Sequence, residues 1–201
     1  MDKQAQLDQI LDELNNLTES TLYEYRTENG YHAVLGEGDP DADIMFIGEA
    51  PGEQEAKKGR PFVGASGRML NQLLDSVGIK REDVYITNIV KDRPPNNRNP
   101  RVGEIKLYSP FLMRQIEIIQ PKVIAPLGRF SMEFILKQLE SDAAGGKISQ
   151  LHGQKVTGTT SYGEVTIVPL FHPAVALYNE DQRDTIFEDI RTLEEFAHAP
   201  A

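Results

Sequence analysis

Four short apolar runs, at 43–47, 84–88, 122–125 and 165–170, alternate along this chain with stretches whose hydrophobic residues recur at helical spacing. This alternation constrains the fold most. A run that is apolar at consecutive positions buries both faces of a strand, as happens when helices cover both sides of a parallel sheet. The expected architecture is a three-layer α/β/α fold with a central four-stranded, mostly parallel sheet. Leu7, Ile10, Leu11, Leu14 and Leu17 mark an N-terminal helix over 2–17. A second helix is expected from Ser66 as N-cap, through Met69, Leu70, Leu73, Leu74 and Val77, to Gly78. Ile105, Tyr108, Leu112, Ile116 and Ile119 mark a third, residues after Gly128 a fourth reaching about Leu139, and Ile186, Ile190, Leu193 and Ala197 the last. Tyr31 to Leu35 is expected as a short strand, 49–65 as a polar loop, and 141–147 as a surface loop.

No linker, low-complexity tract or internal repeat divides the 201 residues, so the expectation is one domain over 1–201 with helix 2–17 packed on it. No stretch has signal-peptide or membrane-spanning character, which predicts a cytoplasmic protein, expected as a monomer without membrane contact. The chain has no cysteine, which removes disulfides, thiolate nucleophiles and thiolate-bound clusters together. The four histidines are scattered, and no His/Asp/Glu spacing matches a metal site, so no metal is expected.

A net charge of −10 argues against coating nucleic acid through bulk positive charge. The charge is uneven, however. Between Asn88 and Arg101, Lys91, Arg93, Arg98 and Arg101 face Asp92 alone, and Lys57, Lys58 and Arg60 form a second basic group.

Chemistry-bearing residues follow the apolar runs, where an α/β sheet places its ligands. Glu49, in Gly48-Glu49-Ala50-Pro51-Gly52, can orient or deprotonate a water; an ordinary turn carboxylate is the alternative. His172, in Phe171-His172-Pro173-Ala174, can donate to a developing oxyanion when neutral or stabilise it by charge when protonated, against the reading of a structural histidine. Asn88 ends the second run, and its amide matches the N3–H and O4 edge of uracil or thymine, though a strand-end Asn also caps turns. Phe62 is either a stacking platform or core. The loop Arg93-Pro94-Pro95-Asn96-Asn97-Arg98 suits phosphate contacts or plain solvation. Thr157-Gly158 reads as turn chemistry, and His152 falls in a loop; His32 and His198 have no assigned role.

In this order, GEAPGEQE at 48–55, GRPFVG at 59–64, ITNIVK at 86–91, RPPNNR at 93–98, Pro126-Leu127-Gly128 and FHPA at 171–174 resemble the uracil-DNA glycosylase superfamily, family-four type. The likeness runs uninterrupted over roughly 20–180. It implies hydrolysis of the bond between uracil and deoxyribose on a flipped nucleotide, with uracil-containing DNA as the partner. By motif position, Phe62 would stack on uracil, Asn88 would read its edge, and His172 would hydrogen-bond O2. Glu49 would position water, with Glu55 the other candidate base, and Ala50 and Glu55 would shape the pocket near C5. Ala50 stands where the best-known branch of the superfamily has an aspartate water activator. Gly48, Pro51, Gly52, Pro94, Pro95, Asn96, Arg98, Pro173 and Ala174 would contact the strand.

The resemblance also implies a four-iron cluster held by four cysteines, and there the chain departs from the family. Asp92 occupies one ligand position, Ser20 and Tyr108 appear at two others, and the last lies near Leu17. The expectation is no cofactor, with packing by Leu17, Leu22, Tyr23 and Tyr108 in the cluster's structural place. Two further readings of the same residues are a non-catalytic protein binding uracil-containing or single-stranded DNA, and a glycosylase shifted toward hypoxanthine or xanthine.

Overall fold

The computed structural model describes residues 1–197; His198 lies outside them. Its sheet is built on strands with no exposed face. β2 (Ile44–Gly48), β3 (Tyr85–Asn88) and β4 (Val123–Pro126) are buried at every position. Together with β6 (Gly163–Ile167) they form four parallel strands in the order β3-β2-β4-β6. The sheet has six strands, because β1 (Glu37–Gly38) and β5 (Val156–Thr160) pair antiparallel on its two edges. The expected four-stranded core is thus extended at both sides. Thr157-Gly158, read as turn chemistry, lies inside β5: Thr157, Thr159 and Thr160 are β-branched and suit a half-solvated edge.

Side-chain alternation divides the core into two layers. Met45 and Ile47 of β2 join one cluster with Leu7, Ile10, Leu14, Leu112, Ile116 and Met132. Ile44 and Phe46 join the other, with Leu70, Leu73, Leu74, Ile186 and Ile190. The first layer holds α1 (Lys3–Asn15), α5 (Val102–Ile119) and α6 (Arg129–Gln138), and the second holds α4 (Ala65–Ser76) and α8 (Glu180–Asp189). This is the α/β/α sandwich that alternation implies.

Several boundaries differ from expectation. α1 starts where the Asp2 carboxylate accepts the Ala5 amide at 2.7 Å, and ends before Leu17. The cap of α4 is Gly64, not Ser66, which lies inside the first turn. The polar stretch 49–65 contains α3 (Glu53–Lys58), which sequence periodicity missed because Ala56 is its one buried residue. α2 (Tyr23–Glu28) and α7 (Ile148–Leu151) are also too short for a periodic signal. Residues 31–35 run beside the fold without joining the sheet; the His32 amide donates to Ala56 and the Val34 amide to Lys91. After α8 the chain tightens into a 3₁₀ helix, Ile190–Phe196, in place of a continuous α-helix.

Candidate active site

The carboxyl ends of β2, β3 and β6 open on one edge of the sheet, and the loops that follow them carry the candidate residues. Gly48 ends β2 beside Asn88, its register partner on β3. A methyl group at position 48 would strike the Asn88 amide oxygen and fall 2.8 Å from the Phe62 ring. Glycine is what lets ring and amide close over the strand end. β6 is prolonged by a parallel bridge between Leu127 and Leu170, which delivers Phe171 and His172 to the same edge.

Ala50, Glu55, Phe62, Asn88 and His172 converge on a cavity of about 200 Å³, joined by Gly52 and Ser66. Phe62 and Asn88 are almost wholly buried. The Phe62 and His172 rings lie 5.9 Å apart between centroids, tilted by 32°. An adjoining hollow of about 150 Å³ shares Ala50, Gly52 and His172 and adds Glu49, Pro51, Pro94 and Arg98, together with Asn97, Asn99 and Pro100. The two expected carboxylates therefore face different spaces. Glu55 lines the first, where one carboxylate oxygen accepts the amides of Val63 at 3.2 Å and Gly64 at 3.1 Å. Glu49 lines the second, and burial raises its carboxyl above the ordinary value while Arg129 opposes the rise.

The chain itself sets the tautomer of His172. The Ala174 amide donates to its Nδ1 at 3.1 Å, so the neutral ring carries its proton on Nε2. Burial holds the imidazole below its ordinary pKa, against an upward pull from Glu55, so the environment favours the neutral ring. Ala174, expected against DNA, thus orients His172, and Pro173 is buried at the start of the 3₁₀ helix Pro173–Leu177. Pro95, Asn96, Pro173 and Ala174 line neither hollow. Ser66, Asn97, Asn99 and Pro100 do line them; the sequence marks Ser66 only as a helix cap and Asn97 only as part of its loop, and gives Asn99 and Pro100 no role.

The basic group of 88–101 is smaller than its residue count. Lys91 is fully buried, its ammonium donating to Thr87 Oγ1 at 2.6 Å, the Asn88 carbonyl at 2.7 Å, and Gln115. Burial pushes its pKa well down. Arg98 pairs with the buried Glu104 at 2.7 Å, and Arg93 is held by the Tyr25 and Tyr31 hydroxyls at 3.0 and 3.1 Å. These arginines shape the loop before they meet any ligand. His152, expected in a loop, closes α7 and pairs with Asp189 at 2.7 Å while stacking on Phe171.

A family model described as the uracil DNA glycosylase superfamily matches residues 35–193. The chain belongs to that superfamily. Among its curated relatives, the type-4 uracil-DNA glycosylase of Sulfurisphaera tokodaii is 43% identical over 195 residues, covering 96% of this chain and 86% of the relative. The type-4 uracil-DNA glycosylase of Saccharolobus solfataricus is 43% identical over 190 residues, covering 94% and 85%. That of Archaeoglobus fulgidus is 40% identical over 190 residues, covering 94% and 92%.

Family membership raises the question of the iron–sulfur cluster, and the residues at its positions do not fit one. Ser20, Asp92 and Tyr108 do meet, but as a closed hydrogen-bond network. The Ser20 hydroxyl lies 2.7 Å from the Tyr108 hydroxyl, which donates to Asp92. Arg26 donates to both Asp92 oxygens, at 3.0 and 3.1 Å, and to the carbonyls of Leu14 and Asn15 at 3.1 and 2.9 Å. All four residues are buried. Hydroxyls, a phenol and an arginine-paired carboxylate are poor iron ligands beside thiolates, and every one is already engaged. Among the described residues, no group of three His, Cys, Asp or Glu side chains is placed to hold a metal ion. Of the residues expected to pack there, Leu22 and Tyr108 are buried and Leu17 packs against the core, while the centre of the corner is this polar network, with Tyr23 stacked on Arg26 at 5.1 Å.

Proposed function

We propose that this protein is a uracil-DNA glycosylase that hydrolyses the N-glycosidic bond of uracil in DNA to leave an abasic site. The observation that carries the reading is the convergence of Phe62, Asn88 and His172 on one cavity, with Glu49 in the hollow next to it.

The target nucleotide leaves the stack, and its uracil enters the first cavity. Phe62 stacks on the base, and the Asn88 amide pairs with N3–H and O4. Cleavage passes through an oxocarbenium-like sugar, so negative charge builds on the base as positive charge grows on the ring. Neutral His172 meets that charge at O2 through its Nε2 proton, the donor left when Nδ1 is taken by Ala174. Glu49, on the other side of His172, orients and deprotonates the attacking water. Glu55, tied to the Val63 and Gly64 amides, is assigned to the pocket wall beside C5, where a thymine methyl would clash.

No cofactor enters this scheme, since side chains fill the cluster's positions. The strand crosses the 94–100 loop and the Gly48–Gly52 turn, and the enzyme works as a monomeric domain in the cytoplasm. Among the described residues, no helix is long and apolar enough to cross a membrane.

The test is uracil release from a labelled single-stranded oligonucleotide. Wild type should cleave, and His172→Ala and Asn88→Ala should each lose activity. Binding without cleavage by wild type would select the non-catalytic reading. Faster release of hypoxanthine or xanthine than of uracil would select shifted specificity.

A further inference from the structure

Phe62 supplies the pocket's platform from an unfavourable backbone conformation. Its φ is +48°, in the left-handed region that a bulky L-residue occupies only when its surroundings impose it. Those surroundings are specific. Arg81 opens the 3₁₀ turn Arg81–Asp83 before β3 and donates to the Pro61 carbonyl at 2.6 Å and the Phe62 carbonyl at 3.0 Å. Glu55 accepts the next two amides, Val63 and Gly64. A cation thus takes two successive carbonyls and a carboxylate takes the two amides that follow. From α4, Gly67 lies so close beneath the Phe62 carbonyl that a methyl group there would overlap it.

Arg81 is itself braced. It donates to Asn71 Oδ1 at 2.9 Å and to Glu37 Oε1 through Nη2 at 2.9 Å and Nε at 3.1 Å. Glu37 also holds Arg60 through two contacts, at 2.7 and 3.0 Å, so the edge strand β1 ties down both ends of the 60–62 segment. Arg81 lines neither hollow, and nothing in its sequence context singles it out.

We propose that Arg81, braced by Glu37, is a positioning residue for base recognition: it fixes the Pro61–Phe62 carbonyls so that the Phe62 ring stands ready over Gly48 and beside Asn88 before a base arrives. The inference rests on the glycosylase reading and specifies how that pocket is preorganised. Lysine cannot replace the fork, because one ammonium cannot keep both carbonyls, Asn71 and Glu37 in a planar array.

The experiment compares wild type, Arg81→Met, Arg81→Lys and Glu37→Gln in three readouts. These are kcat and KM for uracil release, inhibition by free uracil, and Kd for a uracil-free single-stranded oligonucleotide, with Tm measured alongside. A displaced platform should weaken uracil inhibition and lower kcat by about 10- to 100-fold in Arg81→Met. Oligonucleotide Kd should stay near wild type, while Tm falls in Arg81→Met because its hydrogen-bond partners are left unsatisfied. Arg81→Lys should recover part of the loss, and Glu37→Gln should show the same pattern more weakly. Unchanged uracil inhibition in Arg81→Met would overturn the proposal, as would a loss that follows Tm across all readouts. If Arg81→Met does not fold, Glu37→Gln decides by the same criteria. Failure of wild type to release uracil would instead overturn the glycosylase reading, and the positioning role with it.

Discussion

Asn88 and Asp92 lie four residues apart on one segment, yet they belong to buried polar regions built on opposite plans. Asp92 is saturated: Arg26 and Tyr108 take both its oxygens, and Ser20 completes the chain. Asn88 turns its amide toward a cavity, and the residues around it hold one another in place through their backbones. A saturated network stabilises a corner and leaves nothing to offer a ligand. A pocket needs the reverse, polar groups kept in position with their hydrogen-bonding capacity in reserve. The contrast predicts that damage at Asp92 is read in stability and damage at Asn88 in activity.

The largest effect should follow Asp92→Ala, which leaves the Arg26 guanidinium buried without its partner; a stability loss of about 3–5 kcal/mol in urea unfolding is expected. The double change Arg26→Met, Asp92→Leu should cost less than either single change, and activity per folded molecule should persist. A double variant less stable than both singles would break the comparison. On the pocket side, His172→Ala and Asn88→Ala should each lower kcat by about 10²–10³-fold with little change in Tm, as when an oxyanion donor is removed.

Glu49→Gln should cost about 10²-fold or more in kcat, as expected for loss of a general base. The carboxylate must be ionised to act and burial raises its pKa, so wild-type activity should fall with decreasing pH earlier than an ordinary carboxylate would dictate. In Glu49→Gln that acid limb should vanish; a limb that stays assigns the base elsewhere.

The smallest effect concerns Glu104, which accepts the Arg101 amide and pairs with Arg98, lowering its pKa from 4.5 to about 2, chiefly through the Arg98 hydrogen bond. A depressed carboxylate stabilises the fold above its unfolded pKa, and that contribution is lost as pH falls toward about 2. Glu104→Gln should remove about 1 kcal/mol at neutral pH, allowing for the partly exposed Arg98, and flatten acid unfolding over that window.

What could be read from sequence follows the same division. Strands β2, β3 and β4 were legible because burial on both faces writes a continuous apolar run. Asn88 and His172 were legible as candidates because they follow apolar runs, where an α/β sheet gathers its ligands, whereas Phe62 stood between platform and core and Glu55 entered only through the motif resemblance. β1 was not legible, since two residues, Glu37 and Gly38, carry no pattern. Lys91 looked like part of a basic surface because charge counts ignore burial. The Arg26–Asp92 pair and the Arg81 brace join residues 66 apart and 10–44 apart, and no local spacing announces either. That Asn88 and His172 follow apolar runs could be read from sequence, but the cavity they line and the contacts around it became visible only in three dimensions.

The saturated corner has one further consequence. Its members come from the end of α1, the turn before α2, α2 itself, the segment after β3, and α5, and every atom in it arrives with the polypeptide. Closing it calls for no delivery of inorganic parts and no control of their oxidation state. A cell starved of iron would build this corner as readily as one well supplied.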